Sequence, residues 1–343
     1  MQILQKEFEL VVITKQFGNY TGATISTVQL LKRIHENFNR VQVITLKTDG
    51  TNIEGVSINV VNNYRAMVSE LKKIKKGKKK VVGYSDDHLG FILHVCNIKY
   101  LHTYHGNWPD AKQLGLSMFI KSLYFIPLYK LTIKYAEKVI SVSKYMNKKF
   151  VNKFNTSNTV IDNGVKQNYM EDNSSTKNNK FLMVGNIDKR KYSKAISIFN
   201  ILNDKDFNKQ IDIYGSIVDN KIFNILNSFN FANIVGFSKK ISYRGYDALL
   251  CTSSSENLPV SIVEAILEGV PVITFNVGGI PEIIKNGKNG YIFKLNETEK
   301  FASQVYNFDS LKIPYKDISK SRDEFDWDNS AKKYLRLFND IKE

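Results

Sequence analysis

The feature that most constrains this chain is a strand–helix alternation that runs twice, starting afresh after a polar interruption. In the first run, Phe8–Ile13 is a short apolar strand ending at a glycine-containing turn. Ala23–Ile34 follows at helical spacing through Ile25, Val28, Leu31 and Ile34. Val41–Leu46, Val56–Val61, Lys80–Tyr84, Ile98–His102 and Lys138–Val142 read as further strands, several rich in β-branched residues. Helical patterns at Asp87–Cys96 and Leu116–Tyr135 lie between them. The second run has strands at Phe181–Val184, Gln210–Tyr214, Asn233–Val235, Tyr246–Cys251 and Val270–Phe275, with helices at Ser193–Leu202 and Val260–Leu267. Repetition of this kind predicts an α/β fold with two doubly wound parallel sheets in series. The expected boundaries are 1–165 for the first domain, 166–180 for a polar linker and 181–315 for the second domain. Residues 316–343 form a tail, helical through Ala331, Tyr334, Leu335 and Phe338, expected to pack back toward the first domain. A length of 343 residues suits two domains of roughly 150 residues each. Open sheets of this kind bind ligands beyond the carboxyl ends of their strands, so the crevice between the two domains is the expected site.

Charge separates the halves. Residues 1–165 carry 24 Lys and Arg against 11 Asp and Glu, whereas residues 166–343 carry 25 against 22. That asymmetry fits a first domain facing an anionic membrane surface, an acidic polymer or nucleic acid, or a lysine-rich surface facing only solvent. No recognition motif accompanies the charge, so nucleic acid is not an expected partner. Cys96 and Cys251 lie far apart in apolar runs and read as buried thiols in a reducing compartment. The charged N-terminus does not read as a signal peptide, and no run of ~18 uninterrupted apolar residues suggests a transmembrane helix. The expected location is the cytoplasm, free or peripheral at the inner face of the plasma membrane.

The segment that carries chemistry runs from Ser253 to about Thr274. A strand ends in a polar turn holding Glu256, and Asn257, Leu258 and Pro259 lead into a helix. Uncapped N–H groups and the helix dipole there suit a phosphate. Glu264, eight residues after Glu256, stands about one turn into the helix, where a carboxylate can accept hydrogen bonds from vicinal hydroxyls. Two carboxylates bracketing an N–H cluster describe a pocket for a sugar, a diphosphate and a nucleoside in a row.

Glu256 and Glu264, with the following Gly269-Val-Pro-Val-Ile-Thr274, Gly278-Gly-Ile-Pro-Glu-Ile-Ile284 and Asn286–Phe293, resemble the E-x7-E region of family 4 retaining glycosyltransferases. Ile161–Val165 and Val184-Gly-Asn-Ile-Asp-Lys-Arg-Lys191 resemble two further stretches of that family in the same order. The resemblance implies the GT-B fold: two Rossmann-like domains facing across a cleft, the first toward the acceptor and the second holding a nucleotide sugar. It implies that Lys191 takes the position of the family lysine in the loop gripping the donor diphosphate. Asn186 stands where the family has arginine and Tyr192 where it has glycine, so Arg190 is the candidate second cation. Glu256 is implied to hold donor-sugar hydroxyls, Glu264 a ribose, and the loop near Gly236-Phe237 the base. In the first domain, Gly22 sits in a glycine-containing first loop, and His105, chosen over His102, lies where the family has a histidine beside the donor sugar. The implied catalytic set is His105, Glu256 and Lys191. Implied donor contacts are Gly22, Asn186, Arg190, Lys191, Phe237, Glu256, Asn257, Leu258, Pro259 and Glu264. Retention at the anomeric carbon with no metal and no cofactor is implied; Asp86-Asp87 alone is too weak for a metal motif.

The resemblance points to transfer of a hexose or N-acetylhexosamine from a UDP-linked donor to a surface glycan, lipid-linked saccharide, teichoic acid or glycoprotein. The Asn186 departure leaves a catalytically silent partner subunit as the alternative. Lys72–Lys80 is lysine-rich, and Phe119–Tyr135 mixes Lys121, Lys130 and Lys134 with aromatic and aliphatic residues. Such a segment either lies in an anionic membrane interface or turns its apolar stripe to the core.

Overall fold

The computed structural model describes residues 7–77, 80–113, 115–165, 179–238, 240–308 and 325–341. Most of the expected linker (166–178) and the first part of the expected tail (316–324) lie outside the described residues. Two compact units emerge: residues up to Gly164 together with those from Phe325 onward, and residues from Val165 to Phe308.

The first unit is built on seven parallel strands: β1 (Phe8–Thr14), β2 (Arg40–Thr45), β3 (Val56–Val60), β4 (Lys80–Ser85), β5 (Tyr100–Tyr104), β6 (Lys138–Ser141) and β7 (Asn158–Val160). Their order across the sheet is β3-β2-β1-β4-β5-β6-β7. Leu10 pairs with Val41 on one side and Val82 on the other. Being central, β1 is apolar from Leu10 to Ile13 with no alternation, as a strand covered on both faces must be. The crossover helices are α1 (Gly22–Ile34), α2 (Tyr64–Lys76), α3 (Phe91–Val95), α4 (Leu116–Tyr135) and α5 (Lys144–Lys149). Helix α2 was not legible in the sequence because four lysines in its last five residues, Lys72, Lys73, Lys75 and Lys76, dilute an apolar face that buries only Met67 and Leu71. Asn63 starts it, accepting the amide of Ala66.

The second unit has six parallel strands: β8 (Lys180–Val184), β9 (Gln210–Tyr214), β10 (Ala232–Gly236), β11 (Ala248–Cys251), β12 (Val272–Phe275) and β13 (Gly290–Phe293). Their order is β10-β9-β8-β11-β12-β13. Helices α6 (Lys189–Asn203), α7 (Asn220–Asn227), α8 (Val260–Leu267), α9 (Ile280–Ile283) and α10 (Thr298–Tyr306) complete it. In both sheets the order reverses once, between β1 and β4 and between β8 and β11. Those reversals leave a crevice at the strand ends, where such sheets take ligands.

The last helix, α11 (Trp327–Asp340), belongs to the first unit although it follows the second in the chain. Its apolar stripe of Trp327, Ala331, Tyr334, Leu335 and Phe338 joins the core of α1 and β1. Phe338 is fully buried and meets Phe38 edge-on at 5.4 Å. The Tyr334 hydroxyl shares a hydrogen bond with Thr103 on β5, and the Ser330 hydroxyl donates to the carbonyl of Asp162. Phe338→Ala is expected to cost about 3–4 kcal/mol, read by urea denaturation of the full chain.

Candidate active site

Sequence placed Lys189–Lys191 in a loop, but the structure makes them the first turn of α6. Asp188 is the reason: as N-cap it accepts the amide of Lys191 at 2.8 Å. Three cations in a first turn oppose the helix dipole, which favours anions there. A local rule broken this way marks a functional position. The internal anion that answers them is Glu256, beyond β11. Arg190 Nη1 donates to Glu256 Oε1 and to the Ser255 carbonyl, both at 2.7 Å. Lys191 Nζ lies 3.7 Å from the same carboxylate oxygen. These residues stand after β8 and β11, the two strands flanking the reversal of the second sheet.

Burial alone would push the Glu256 carboxyl up, but Lys191 and then Arg190 outweigh it and hold the group below the ordinary carboxylate range. The Ser253 hydroxyl adds a hydrogen bond in the same direction. The backbone locks the cations in place: the Ser254 amide and hydroxyl both donate to the Arg190 carbonyl, and the Thr252 hydroxyl donates to that of Lys191. Gly185, at φ +145°, leaves room for the lysine chain, since a Cβ there would stand 2.5 Å from Lys191 Nζ.

Asn257, Leu258 and Pro259 are buried and lead into α8, whose N-cap is Pro259 with no side-chain cap. The first amides of α8 are therefore uncapped by any side chain. Glu264 lies within α8 and accepts the Tyr243 hydroxyl at 2.6 Å. Burial raises its pKa, the Tyr243 hydrogen bond draws it back, and nearby Glu268 raises it further. Sequence reasoning did not find Tyr243, which lies 21 positions away in an irregular segment with no motif of its own. Tyr243→Phe is expected to cost about 1 kcal/mol of stability and to move the Glu264 pKa further up, read by urea denaturation and by carboxylate titration.

Among the described residues of the second unit, Asn186 and Phe237 make no hydrogen bond or ion pair to this group. Asn186 is exposed between β8 and α6, and Phe237, after β10, is 63% exposed. Gly22 is the exposed first residue of α1, and His105 follows β5, so both belong to the first unit. His105 is buried enough for its pKa to fall to about 4, so the ring is neutral at physiological pH, and its Nε2 has no partner among the described residues.

The first sheet has a second cluster at its own reversal. Asp86 follows β4, accepts the Thr27 hydroxyl at 2.6 Å, and leaves Oδ1 buried and without a partner among the described residues. Burial first, then the neighbouring Asp87 charge, pushes its pKa up to about 7. His88 and His102 likewise each bury an unpartnered Nε2. The sequence signal was Asp86-Asp87 after an apolar strand, set aside as too weak alone for a metal motif without supporting ligands. Among the described residues no three or more His, Cys, Asp or Glu side chains are grouped to hold a metal ion.

The architecture aligns over nearly its full length with solved glycosyltransferases. HepE of Anabaena, solved in complex with UDP-glucose, matches with a TM-score of 0.77 at 15% identity, covering 97% of this chain and 100% of that one. WaaG, a glycosyltransferase involved in lipopolysaccharide biosynthesis, matches with a TM-score of 0.78 at 13% identity, covering 96% and 99%. Two doubly wound parallel-sheet domains of this kind make the fold GT-B. The family model for Glycosyltransferase Family 4 matches residues 20–168, and that for Glycosyl transferases group 1 matches residues 165–323. The chain belongs to the family 4 glycosyltransferases. An uncharacterized glycosyltransferase of Methanocaldococcus jannaschii is 25% identical over 267 residues, which cover 74% of this chain and 71% of that protein.

Proposed function

We propose that this glycosyltransferase is a retaining enzyme that moves a hexose or N-acetylhexosamine from a UDP-linked donor to a hydroxyl of a surface glycan or lipid-linked saccharide. The observation that carries the reading is buried Glu256 with half-buried Arg190 and Lys191 at the sheet reversal, beside the uncapped start of α8. A diphosphate needs fixed positive charge and free N–H groups, and this region supplies both. HepE, of the same fold, was solved with UDP-glucose, which supports the choice of base.

In this mechanism Lys191, Arg190 and the α8 amides stabilise the charge growing on the departing diphosphate. Glu256 orients the two cations and accepts hydroxyls of the donor sugar, and Glu264 accepts those of the ribose. The acceptor hydroxyl is assigned to the first domain, where His105 and the Asp86 cluster offer buried unpartnered nitrogens and oxygen. Diphosphate oxygen takes the acceptor proton, and Lys191, Arg190 and the α8 amides neutralise the leaving group in place of a metal, with no cofactor in the reaction. The protein works in the cytoplasm at the inner face of the plasma membrane.

A panel of UDP-, GDP- and ADP-sugars without added metal tests this by thermal shift and product release. Stabilisation and slow hydrolysis with one UDP-sugar, lost in Lys191→Ala and Glu264→Ala, is the expected result. A response to GDP- or ADP-sugars alone overturns the UDP assignment, and silence across the panel overturns the enzyme reading.

A further inference from the structure

Helix α4 is apolar on both faces, and among the described residues only one of them is covered. Its inner face is held by Thr132, whose hydroxyl donates to the His88 carbonyl and accepts the Phe91 amide, and whose carbonyl accepts the Tyr100 hydroxyl. The outer face repeats at helical spacing through Leu116, Ile120, Leu123, Pro127 and Leu131. Leu116, Ile120 and Leu123 are 76%, 58% and 65% exposed. The helix is twenty residues long and contains a window with a mean hydropathy of 1.2, long and apolar enough by length and composition to cross a membrane, of which 17% is buried. The helix expected over Leu116–Tyr135 is present, and of the two readings of its apolar stripe, core or membrane interface, the exposure of Leu116, Ile120 and Leu123 favours the second. The Thr132 contacts tie the C-terminal part of the helix to its domain. A soluble domain rarely leaves a continuous apolar stripe of this length open.

Beside this helix lies an open, largely apolar cavity of about 360 Å³ between α2, α3 and α4. Buried Leu89 and Ile92 line it with half-buried Val68 and Leu128, while the exposed residues around it are Tyr64, Arg65 and Tyr124. Arg65 is its one charged lining residue and has no hydrogen-bond or ion-pair partner among the described residues. On the same helix Lys72, Lys75 and Lys76 are exposed, and α4 adds exposed Lys121, Lys130 and Lys134. An apolar slot, a cation beside it and a basic apolar surface around it match one ligand chemistry: a hydrocarbon chain carrying a phosphate.

We propose that this cavity takes a single hydrocarbon chain of a phosphate-bearing membrane lipid, with Arg65 pairing the phosphate while the α4 stripe lies in the bilayer interface. The inference rests on the membrane-side location of the enzyme proposed above. It assigns the first domain a lipid subsite separate from the Arg190–Glu256–Lys191 group, which lies in the second unit. The volume is at the small end of the roughly 300–1,000 Å³ of ligand pockets, which suits one chain rather than a whole lipid.

Hexyl, octyl and decyl phosphate, each below its micelle concentration, serve as probes of the full chain by titration calorimetry, with inorganic phosphate beside them. The expected result is one saturable site whose affinity rises about four-fold per methylene, with no saturable binding of inorganic phosphate. Val68→Trp, which fills the slot, is expected to weaken decyl phosphate at least about ten-fold, the equivalent of little more than one or two methylenes. Arg65→Ala should weaken decyl phosphate and leave decanol unaffected. Equal affinity in wild type and Val68→Trp, with folding verified by melting, overturns the proposal, as does affinity independent of chain length. If Val68→Trp does not fold, Val68→Phe decides by the same comparison. Flotation with vesicles of phosphatidylglycerol and phosphatidylcholine reads the outer stripe, and Ile120→Glu with Leu123→Glu should abolish it. Floating undiminished in that variant overturns the role given to α4. Donor binding with no alkyl phosphate site sinks the lipid proposal alone, and the reverse pattern sinks the donor reading alone.

Discussion

Glu256→Gln is expected to lower transfer at least about 10²-fold and to destabilise the protein by about 2–3 kcal/mol. The change keeps the shape and removes the charge, so Arg190 and Lys191 are left side by side with no counter-ion. Breaking a buried pair costs about 3–5 kcal/mol because the surviving charge stays desolvated. The Glu256 and Arg190 side chains are 11% and 27% exposed, so solvent screening brings the expectation to the lower figure. Urea denaturation of Glu256→Gln, Arg190→Ala and the double variant reads the coupling, and the double variant should cost less than the two singles together. The pH dependence has a definite sign. The folded-state pKa of Glu256 lies below its unfolded value near 4.5, so the pair stabilises the protein above that pH. The stabilisation is lost as pH falls through the folded value, and Glu256→Gln should show a flatter acid limb. A variant as stable and as acid-sensitive as wild type would remove the ion pair from the account.

Gly278→Ala is expected to be comparably damaging though it alters no charge. Gly278 has φ +59°, which costs a non-glycine residue energy before any contact is counted. A Cβ there would stand 1.7 Å from the Glu256 carbonyl oxygen and 2.6 Å from its carbon. Backbone cannot swing aside as a side chain can. Relief requires pulling residues 278–279 from the Glu256 turn, which breaks the 2.7 Å bond from the Gly279 amide to the Asn257 carbonyl. The turn that aims Glu256 at Arg190 then shifts, and a misplacement of about 1 Å suffices for a 10²-fold loss of rate. The expected stability loss is about 3 kcal/mol or more, read by denaturation alongside donor hydrolysis. Near-wild-type values in both would mean that the two turns are not packed as described.

Much of the architecture is local and was readable. The strands around Leu10, Val43, Val82 and Ile211, and the limits of α4 and α8, follow from runs and periods that only neighbouring residues need to satisfy. Glu256, Glu264 and Lys191 were legible as a set because their order and spacing resemble those of a known family. Asp188, a cap that turned an expected loop into the first turn of α6, was a readable signal that went unread.

Other features had no local trace. Arg190 meets Glu256 across 66 positions and Tyr243 meets Glu264 across 21, because parallel strands bring together ends that the chain keeps far apart. The same holds for α11, whose pattern foretells a helix but not that it completes the core of α1 and β1. The two faces of α4 read alike in sequence. Which of them is buried depends on Thr132 finding partners on other segments, and only the tertiary structure makes that choice. Sequence by itself determined the elements and the chemical groups available, since these depend on residue type and short spacing. The partners of those groups, and hence their charge states, came from the sheet order, since burial and long-range contact set them.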